Sequence, residues 1–590
     1  PPGFLNQARE RIHNATSTFQ LVADDTPLTG RVVNIEGQPV AGASLRVTQL
    51  NYSETGSLDE WEKAAEKSEA DFYEIRMLLT KSLGNDVGGA TLEYIPTVVT
   101  DRNGRFTFKG LGRERIVKLL ISGPGIATSY VVARTRKGKI IEVPVQASNP
   151  WREKMVYHPS EFTYVAGPSH PVSGVVRDSK THQPLPGVKL QSYRLAGRST
   201  SGWSEGLVQT VTDDQGRYRL EGLPIGKNEV ICLNPKDQPY LLSKFVAETS
   251  AGLPVLKKDV DLTRGIWAEG RAYDMASSEP IRGGRVDYFA FNDNPFLQPV
   301  KKSLAHLTAH HTLHSDGTYR IPVLPGPGIV TVMADEHMKY QRGKGAENIK
   351  GKKYRQMNAF NTVPYLLIIS NFHIMAEVNP AEDAKSVQLD FPFDSGRSLQ
   401  IKVIKQDSKA VNSGNYIGLM EEFPSWNGFE NGQLIIRGYR PEQPRRVQAI
   451  EPESKQVGYL LIDEEDPSDL KITLEPWAEI TGRLVDESGG PKANVMLSDV
   501  YQVISKDPNV ALLPPNPEQK SGGSVSYPTD KNGRFQIRGL IPGKIYSVSA
   551  KETRKNGSDF QLGDFLNGKP LKPGEIRDLG DVQFKPEGSE

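Results

Sequence analysis

The chain has 590 residues, with 72 Lys and Arg against 71 Asp and Glu, a formal charge of +1. So even a balance provides no global field to draw it onto nucleic acid or an anionic membrane, which excludes a bulk polyanion as partner. Cys232 is the one cysteine, so no intrachain disulfide forms, and no apolar run approaches the ~18 residues that a membrane-spanning helix needs.

In chain order, a short helical candidate over Phe4 to Ile12 comes first. Gly30-Arg31-Val32-Val33 followed by Gln38-Pro39-Val40-Ala41-Gly42 then reads as strand, Pro bend, strand. Ser57-Leu58-Asp59-Glu60 has the form of a capping box. Leu58, Trp61, Ala65, Phe72, Ile75, Leu79 and Leu83 recur at helical spacing until Gly84, which predicts one amphipathic helix over 57–84. Next comes Thr100-Asp101-Arg102-Asn103-Gly104-Arg105-Phe106. An Asp that bonds its own backbone, with a Gly that accepts positive φ, predicts a hairpin turn, and alternating Phe106 and Phe108 predict a half-buried strand after it.

These phrases return. Gly174-Val175-Val176-Arg177-Asp178, Gly270-Arg271-Ala272-Tyr273-Asp274 and Gly482-Arg483-Leu484-Val485-Asp486 each lead to a Pro bend. The turn recurs as Thr212-Asp213-Asp214-Gln215-Gly216-Arg217-Tyr218 and Thr529-Asp530-Lys531-Asn532-Gly533-Arg534-Phe535, more loosely at His314-Ser315-Asp316-Gly317-Thr318-Tyr319, and worn down at Asn431-Gly432. A Gly-Leu pair follows the full copies, at Gly110-Leu111, Gly222-Leu223 and Gly539-Leu540. Short β-prone runs close each unit: 139–145, 257–262, 386–391, 470–474 and 578–584. A phrase repeated along a chain marks an array.

The pairing of G-x-V-x-D and its Pro bend with T-D-x-x-G-R-F and Gly-Leu resembles the carboxypeptidase-regulatory-like domain, a transthyretin-like β-sandwich, and the middle stretch is similar to large bacterial proteins that string such domains together. The resemblance implies an all-β linear array of about five transthyretin-like or Ig-like β-sandwich domains, with one helical insertion in the first. The boundaries expected are an N-terminal segment 1–26, sandwich 1 over 27–150, a linker 151–167, sandwich 2 over 168–263, sandwich 3 over 264–392 with a basic loop 339–355, a divergent sandwich 4 over 393–475 and sandwich 5 over 476–590. The linkers are short, which predicts a stiff rod. Because the family's name comes from a non-catalytic domain beside a peptidase, the resemblance implies no activity.

Candidate sites are few. The loop 339–355 gathers Arg342, Lys350, Lys352, Lys353, Tyr354 and Arg355, and it reads as a solvated connection or as a contact for an acidic glycan or other anion. Phe291 and Phe296, beside Asn292, Asp293 and Asn294, and Trp426 offer rings on which a sugar could stack, with ordinary core packing as the alternative. His306, His310, His311 and His314 crowd together. On a strand only His310 and His314 share a face, too few to hold a metal alone. Gly202-Trp203-Ser204-Glu205-Gly206 matches a nucleophile elbow without its strand and helix, and His158-Pro159-Ser160-Glu161 mimics a zinc pair inside the expected linker. Asp316-Gly317-Thr318-Tyr319 with Phe372-His373-Ile374 faintly resembles intradiol dioxygenases, with Met375 where their second His would stand.

The expectation is therefore a non-catalytic extracytoplasmic scaffold, adhesion protein or surface-assembly subunit, without cofactor, meeting protein partners or its own kind through sandwich edges. A glycan- or anion-binding sensor ectodomain is the alternative, and a metal-dependent enzyme on this fold is the remote one. The absence of an initial Met leaves room for a removed signal or an upstream domain.

Overall fold

In the computed structural model the described residues are 26–52, 56–66, 95–144, 154–196, 198–199, 207–235, 237–252, 255–304, 311–335, 340, 344–345, 372–409, 411–419, 427–441, 444–463, 467–493, 495–499, 511, 513–514, 527–546, 548–553, 559–564 and 570–583. Among them are 39 strands and one helix, so the protein is all-β as expected. Pro1–Arg264 with Lys302–Ala305 form one compact part of the chain, and Gly265–Lys301 with His306–Glu590 the other; the repeated β modules within them are called units.

The repeated turn has one hydrogen-bond pattern. Asp101 Oδ1 accepts the backbone N–H groups of Asn103 and Arg105, both at 2.8 Å. Asp213 does the same for Gln215 and Arg217, and Asp530 for Asn532 and Arg534. The Gly closing each turn sits at φ 73°, 69° and 75°. It also has no room for a side chain: a Cβ on Gly216 would lie 2.6 Å from the Val176 carbonyl and 2.9 Å from Pro184 Cβ. Gly104 meets Val32 and Pro39 in the same way. The turn Gly rests on the Pro bend, which explains why the two phrases travel together. A buried Thr ties them further. Thr212 Oγ1 accepts from Val188 N–H at 2.9 Å and donates to Leu185 O at 2.7 Å, and Thr100 and Thr529 repeat both bonds.

In four of these units the opening strand is the centre of a mixed sheet. Val172–Asp178 runs antiparallel to Arg217–Leu220 and parallel to Leu256–Lys257 and Val260–Leu262. Ile266–Asp274 and Ala478–Val485 are placed likewise. The Gly of each opening strand stands opposite the aromatic residue of the turn phrase: Gly30 with Phe106, Gly174 with Tyr218, Gly270 with Tyr319 and Gly482 with Phe535. At Gly30 and Gly482 the ring fills what the missing side chain leaves, Phe106 Cζ and Phe535 Cζ each lying 2.7 Å from where a Cβ would stand. In two units the closing strand is interrupted. Where it breaks, the Asp259 and Asp390 carboxylates accept the N–H groups of Val175 and Arg271, each at 2.9 Å, in place of a ladder carbonyl.

A second sheet covers each mixed sheet. In the first unit it has six strands: Val98–Val99, Ser44–Tyr52, Arg115–Gly123, Ile126–Arg134, Lys154–His158 and Ile141–Pro144. Val117, Leu119, Ile121, Val131 and Ala133 turn from it onto Leu28, Phe106 and Phe108, and these residues are buried together. Separate clusters of the same kind lie around Val176 and Val230, Ala268 and Val330, Ile401 and Val447, and Leu484 and Leu497. Each fully buried Leu or Phe contributes ~2 kcal/mol, so every cluster is a substantial core.

Four expectations need correction. The parallel partner that closes the first unit is Glu161–Val165, whereas Ile141–Pro144 pairs with Lys154–His158 in the other sheet. The stretch read as a linker over 151–167 therefore holds two strands, because the bend between them returns the chain to the first strand. The capping box is shifted: the helix runs Asp59–Ala65 with Leu58 at its N-cap, and Ser57 Oγ accepts the Asp59 N–H at 3.1 Å. Its Leu58, Trp61 and Ala65 pack on Ile116, Ile141, Val143 and Tyr157, and residues 67–84 lie outside the described residues. The divergent fourth sandwich is instead a closed barrel of seven strands. Asn431 and Gly432, at φ 55° and 62°, make a two-residue hairpin in place of the Asp turn, and Asn427–Glu430 then pairs with Ser413–Leu419 to seal one gap between the layers. Gln456–Ile462 meets Lys471–Pro476 and seals the other. His314, finally, belongs to a turn and not to a strand face. Its N–H bonds the Thr318 carbonyl and its carbonyl accepts from Gly317, the place Asp takes in the other copies.

Candidate functional site

Of the predicted site residues, Phe291, Phe296 and His314 lie among the described residues. Phe291 is fully buried, so no sugar can stack on it. The neighbouring Asn294 is 1% exposed and its amide donates to the carbonyls of Pro325 and Pro327, both at 2.9 Å, while its oxygen accepts the Phe296 N–H. The amide is a clamp on the loop. Phe296 is half-buried. Arg342, Lys350, Lys352, Lys353, Tyr354, Arg355, Trp426, His306, His310, the Phe4 to Ile12 stretch and the Gly202 to Gly206 match lie outside the described residues.

Of the basic loop, Tyr340 is buried against Phe393, and Lys344 sends its ammonium to the Pro392 carbonyl at 2.9 Å. His158 stacks on Phe162 with ring centres 4.6 Å apart, and burial holds its pKa below the usual value. The dioxygenase resemblance has no site behind it. Tyr319 spends its hydroxyl on the Leu389 carbonyl, and fully buried His373 accepts the Ala334 N–H through Nδ1 at 3.0 Å. Among the described residues no three His, Cys, Asp or Glu side chains are grouped to hold a metal ion. Cys232 is fully buried, which pushes its thiol up to about 12.

What the structure does bring together among the described residues are seams between successive units, and the Gly-Leu pair is at two of them. In the first, Thr128 donates its N–H to the Gly222 carbonyl and His170 donates to Leu223, each at 2.8 Å. Gly222 returns its own N–H to Ser169 Oγ at 2.7 Å. Gly222 has φ 85°, and a Cβ there would stand 2.8 Å from Thr128 Oγ1. In the second, a Cβ on Gly539 would lie 2.7 Å from Ile450 Cδ1 of the barrel. Ile450 and Val457 share one buried cluster with Trp477, Leu513, Leu540 and Ile541. Trp477 donates its N–H to Lys455 O at 3.0 Å and its indole N–H to Glu479 at 2.9 Å, and the Lys544 ammonium sits 3.5 Å over the Tyr459 ring. Trp267 is 9% exposed under the Arg320 guanidinium. In the sequence the Gly-Leu pair marks the repeat and no more. Its signal was that the Gly stands beyond the turn, where the turn itself does not need one.

The class this geometry defines is an all-β protein of successive sheet pairs and one barrel. No family model matches the chain, and no curated protein matches it. Among solved structures, a streptococcal ancillary pilin is matched at a TM-score of 0.17 and 11% identity, over 62% of this chain and 98% of that one. The Bacillus anthracis TIE protein is matched at 0.15 and 10%, over 78% and 75%, and the major pilin subunit of Bacillus cereus at 0.13 and 9%, over 71% and 100%. Superpositions this loose transfer no residue role and no mode of assembly.

Proposed function

We propose that the protein is a non-catalytic structural or adhesion scaffold, or a subunit of a surface assembly, working outside the cytoplasm. The division into β domains expected from the sequence, with the first extended to include Glu161–Val165, is part of this reading. The finer family reading, a carboxypeptidase-regulatory-like array, rests on the repeated phrases and is part of the proposal.

One observation carries the assembly reading. Val99, Val246 and Ile576 are 59%, 44% and 66% exposed, and each lies on a strand at the end of its described sheet. An exposed apolar edge is a template for an added strand from another chain. The bonded seams support the scaffold side of the same reading, since a joint with its own hydrogen bonds and core has little hinge freedom.

Sedimentation of the purified chain over a hundredfold concentration range tests it. Self-association that Val246→Lys and Ile576→Lys abolish is the expected result; a monomer at every concentration, with no partner retained by the wild type and lost by these variants, would overturn it. A ligand-binding role is the second reading, favoured by a cavity between the first and second β modules.

A further inference from the structure

Between the first two units a half-open cavity of about 560 Å³ lies against the six-stranded sheet, at a place where two of its strands part. That volume falls in the range of small-molecule pockets, roughly 300–1,000 Å³. Lys154–His158 runs parallel to Ile126–Arg134, but the register pairs only Tyr157 with Val132 and His158 with Ala133. Carried further, the same register would set Val156, Met155 and Lys154 beside Val131, Tyr130 and Ser129. Val156, Met155 and Lys154 keep their pairing with Glu142, Val143 and Pro144 on the far side, and the residues that fail to meet line the cavity. The cavity is thus a gap in the ladder, about 10 Å long at the rise of a strand.

Backbone alternation leaves one residue unpaired at that gap. Thr135 donates its N–H to the Arg115 carbonyl at 2.9 Å, so in the antiparallel pairing with Arg115–Gly123 the residues Ala133, Val131 and Ser129 exchange the ladder bonds. Tyr130 stands between them, and its N–H and C=O point the other way. On that side Thr128 is met by the Gly222 carbonyl and Val132 by the parallel strand, while Tyr130 has no backbone partner among the described residues. Thr128 and His158 close the two ends of the gap, His158 being stacked on Phe162 with its Nδ1 buried.

Val165, Leu195, Leu207 and Pro224 make the facing wall apolar. Neither lysine of the lining is needed by a ligand: the Lys118 ammonium lies 4.1 Å from the Tyr130 ring centre, and Lys154 holds both Glu142 oxygens at 2.8 and 2.7 Å. The Ser129 and Tyr164 hydroxyls bond each other, Thr163 beside them is exposed, and no carboxylate in the lining selects a basic side chain.

We propose that this gap binds a short extended peptide, neutral and apolar, in place of the missing ladder pairs: its main chain bonds the N–H and C=O of Tyr130, and its side chains lie on the apolar wall. The ladder begun at Val132 and Ala133 sets the line that the peptide follows. A peptide backbone offers both an acceptor and a donor to Tyr130, where a hydrocarbon would leave both groups unmet. A ligand class follows for the ligand-binding reading, on which the proposal rests; the scaffold reading, tested by self-association, needs no ligand and survives a negative result.

The probe is acetyl-Val-Leu-Val-amide, titrated into the full chain and followed by calorimetry and amide hydrogen exchange. Saturable binding at one site is expected, with exchange of the Tyr130 amide slowed at least about tenfold and that of Val131, already bonded in the ladder, unchanged. The same peptide N-methylated at every residue keeps its apolar side chains, loses those donors, and should bind at least about tenfold more weakly. Val165→Trp, at a residue 57% exposed, narrows the cavity and should abolish binding with the melting transition unchanged, whereas Val165→Thr should bind like the wild type. Absence of saturable binding, equal binding of the N-methylated peptide, binding that survives Val165→Trp, or a Tyr130 amide left unprotected by the peptide would each overturn the proposal.

Discussion

The Tyr218 hydroxyl donates to the Lys258 carbonyl at 2.7 Å, and that same carbonyl would stand 1.9 Å from a Cβ at Gly174. Tyr319, Leu389 and Gly270 repeat the arrangement, the Cβ position there being 1.8 Å from the carbonyl. The break in the closing strand, the Gly beneath it and the Tyr across from it are one device. Tyr218→Phe removes only the hydrogen bond and should lower stability by about 1 kcal/mol in urea unfolding. Gly174→Ala forces a methyl into a backbone carbonyl and should cost about 3 kcal/mol. Equal effects of the two variants would show that the carbonyl is free to move away.

Thr212 offers a sharper test of the turn. Thr212→Val keeps its shape and its place in the strand but loses the acceptor for Val188 N–H and the donor to Leu185 O, both buried. A loss of about 2 kcal/mol is expected, since a buried N–H is left without its partner. Leu313 stands at the corresponding position of the third copy, where no hydroxyl exists, so Leu313→Val should give a smaller loss of cavity origin. Urea midpoints of the two variants decide the matter.

At the first seam, Gly222→Ala meets both a positive φ of 85° and Thr128 Oγ1. The expected cost is about 1–2 kcal/mol, concentrated at the joint. Hydrogen exchange should quicken at the Thr128 and His170 amides, whose acceptors are Gly222 and Leu223, and stay slow at Val230 in the second core.

Acid stability follows from the Asp residues of the opening strands. Burial pushes the Asp178 carboxyl up, but the Thr181 N–H, the Tyr240 hydroxyl at 2.7 Å and the Lys180 N–H outweigh it and hold its pKa below the ordinary 3.8. A folded pKa below the unfolded one means stability that is complete above 3.8 and is lost as pH falls through the lower folded value. Asp213, held by Arg217, and Asp274 shift in the same direction. The melting temperature should therefore fall steeply below pH 4 or so, and Asp178→Asn should flatten that limb while lowering the plateau above it.

Legibility in the sequence tracked the range of the interaction. The Asp turns could be read because their bonds span two and four residues, and the strand after each turn because Phe106 and Phe108 alternate. The closing strand of the first unit could not, because Glu161–Val165 earns its place by pairing with residues some 130 positions earlier, and a β-prone run at 139–145 competed for it. The barrel was hidden for a similar reason: closure depends on which hairpins meet, and local pattern does not record that. Phe291 looked like a platform because its polar neighbours are visible in the sequence while its burial is not. Gly222 and Gly539 were seen, but their reason lies in Thr128 and Ile450, far away in the chain.

The parallel pairing of opening and closing strands sets how each unit would respond to being pulled. In Val172–Asp178 with Val260–Leu262, the chain enters at one end of the pair and leaves at the opposite end. Tension along the backbone therefore slides the two strands past each other and strains their shared bonds together, where an antiparallel pair pulled from one end would peel open bond by bond. Single-molecule stretching should register a high rupture force for this unit, and a Pro in place of Leu262, whose carbonyl accepts the Ser179 N–H and whose own N–H faces the same strand, should lower it sharply.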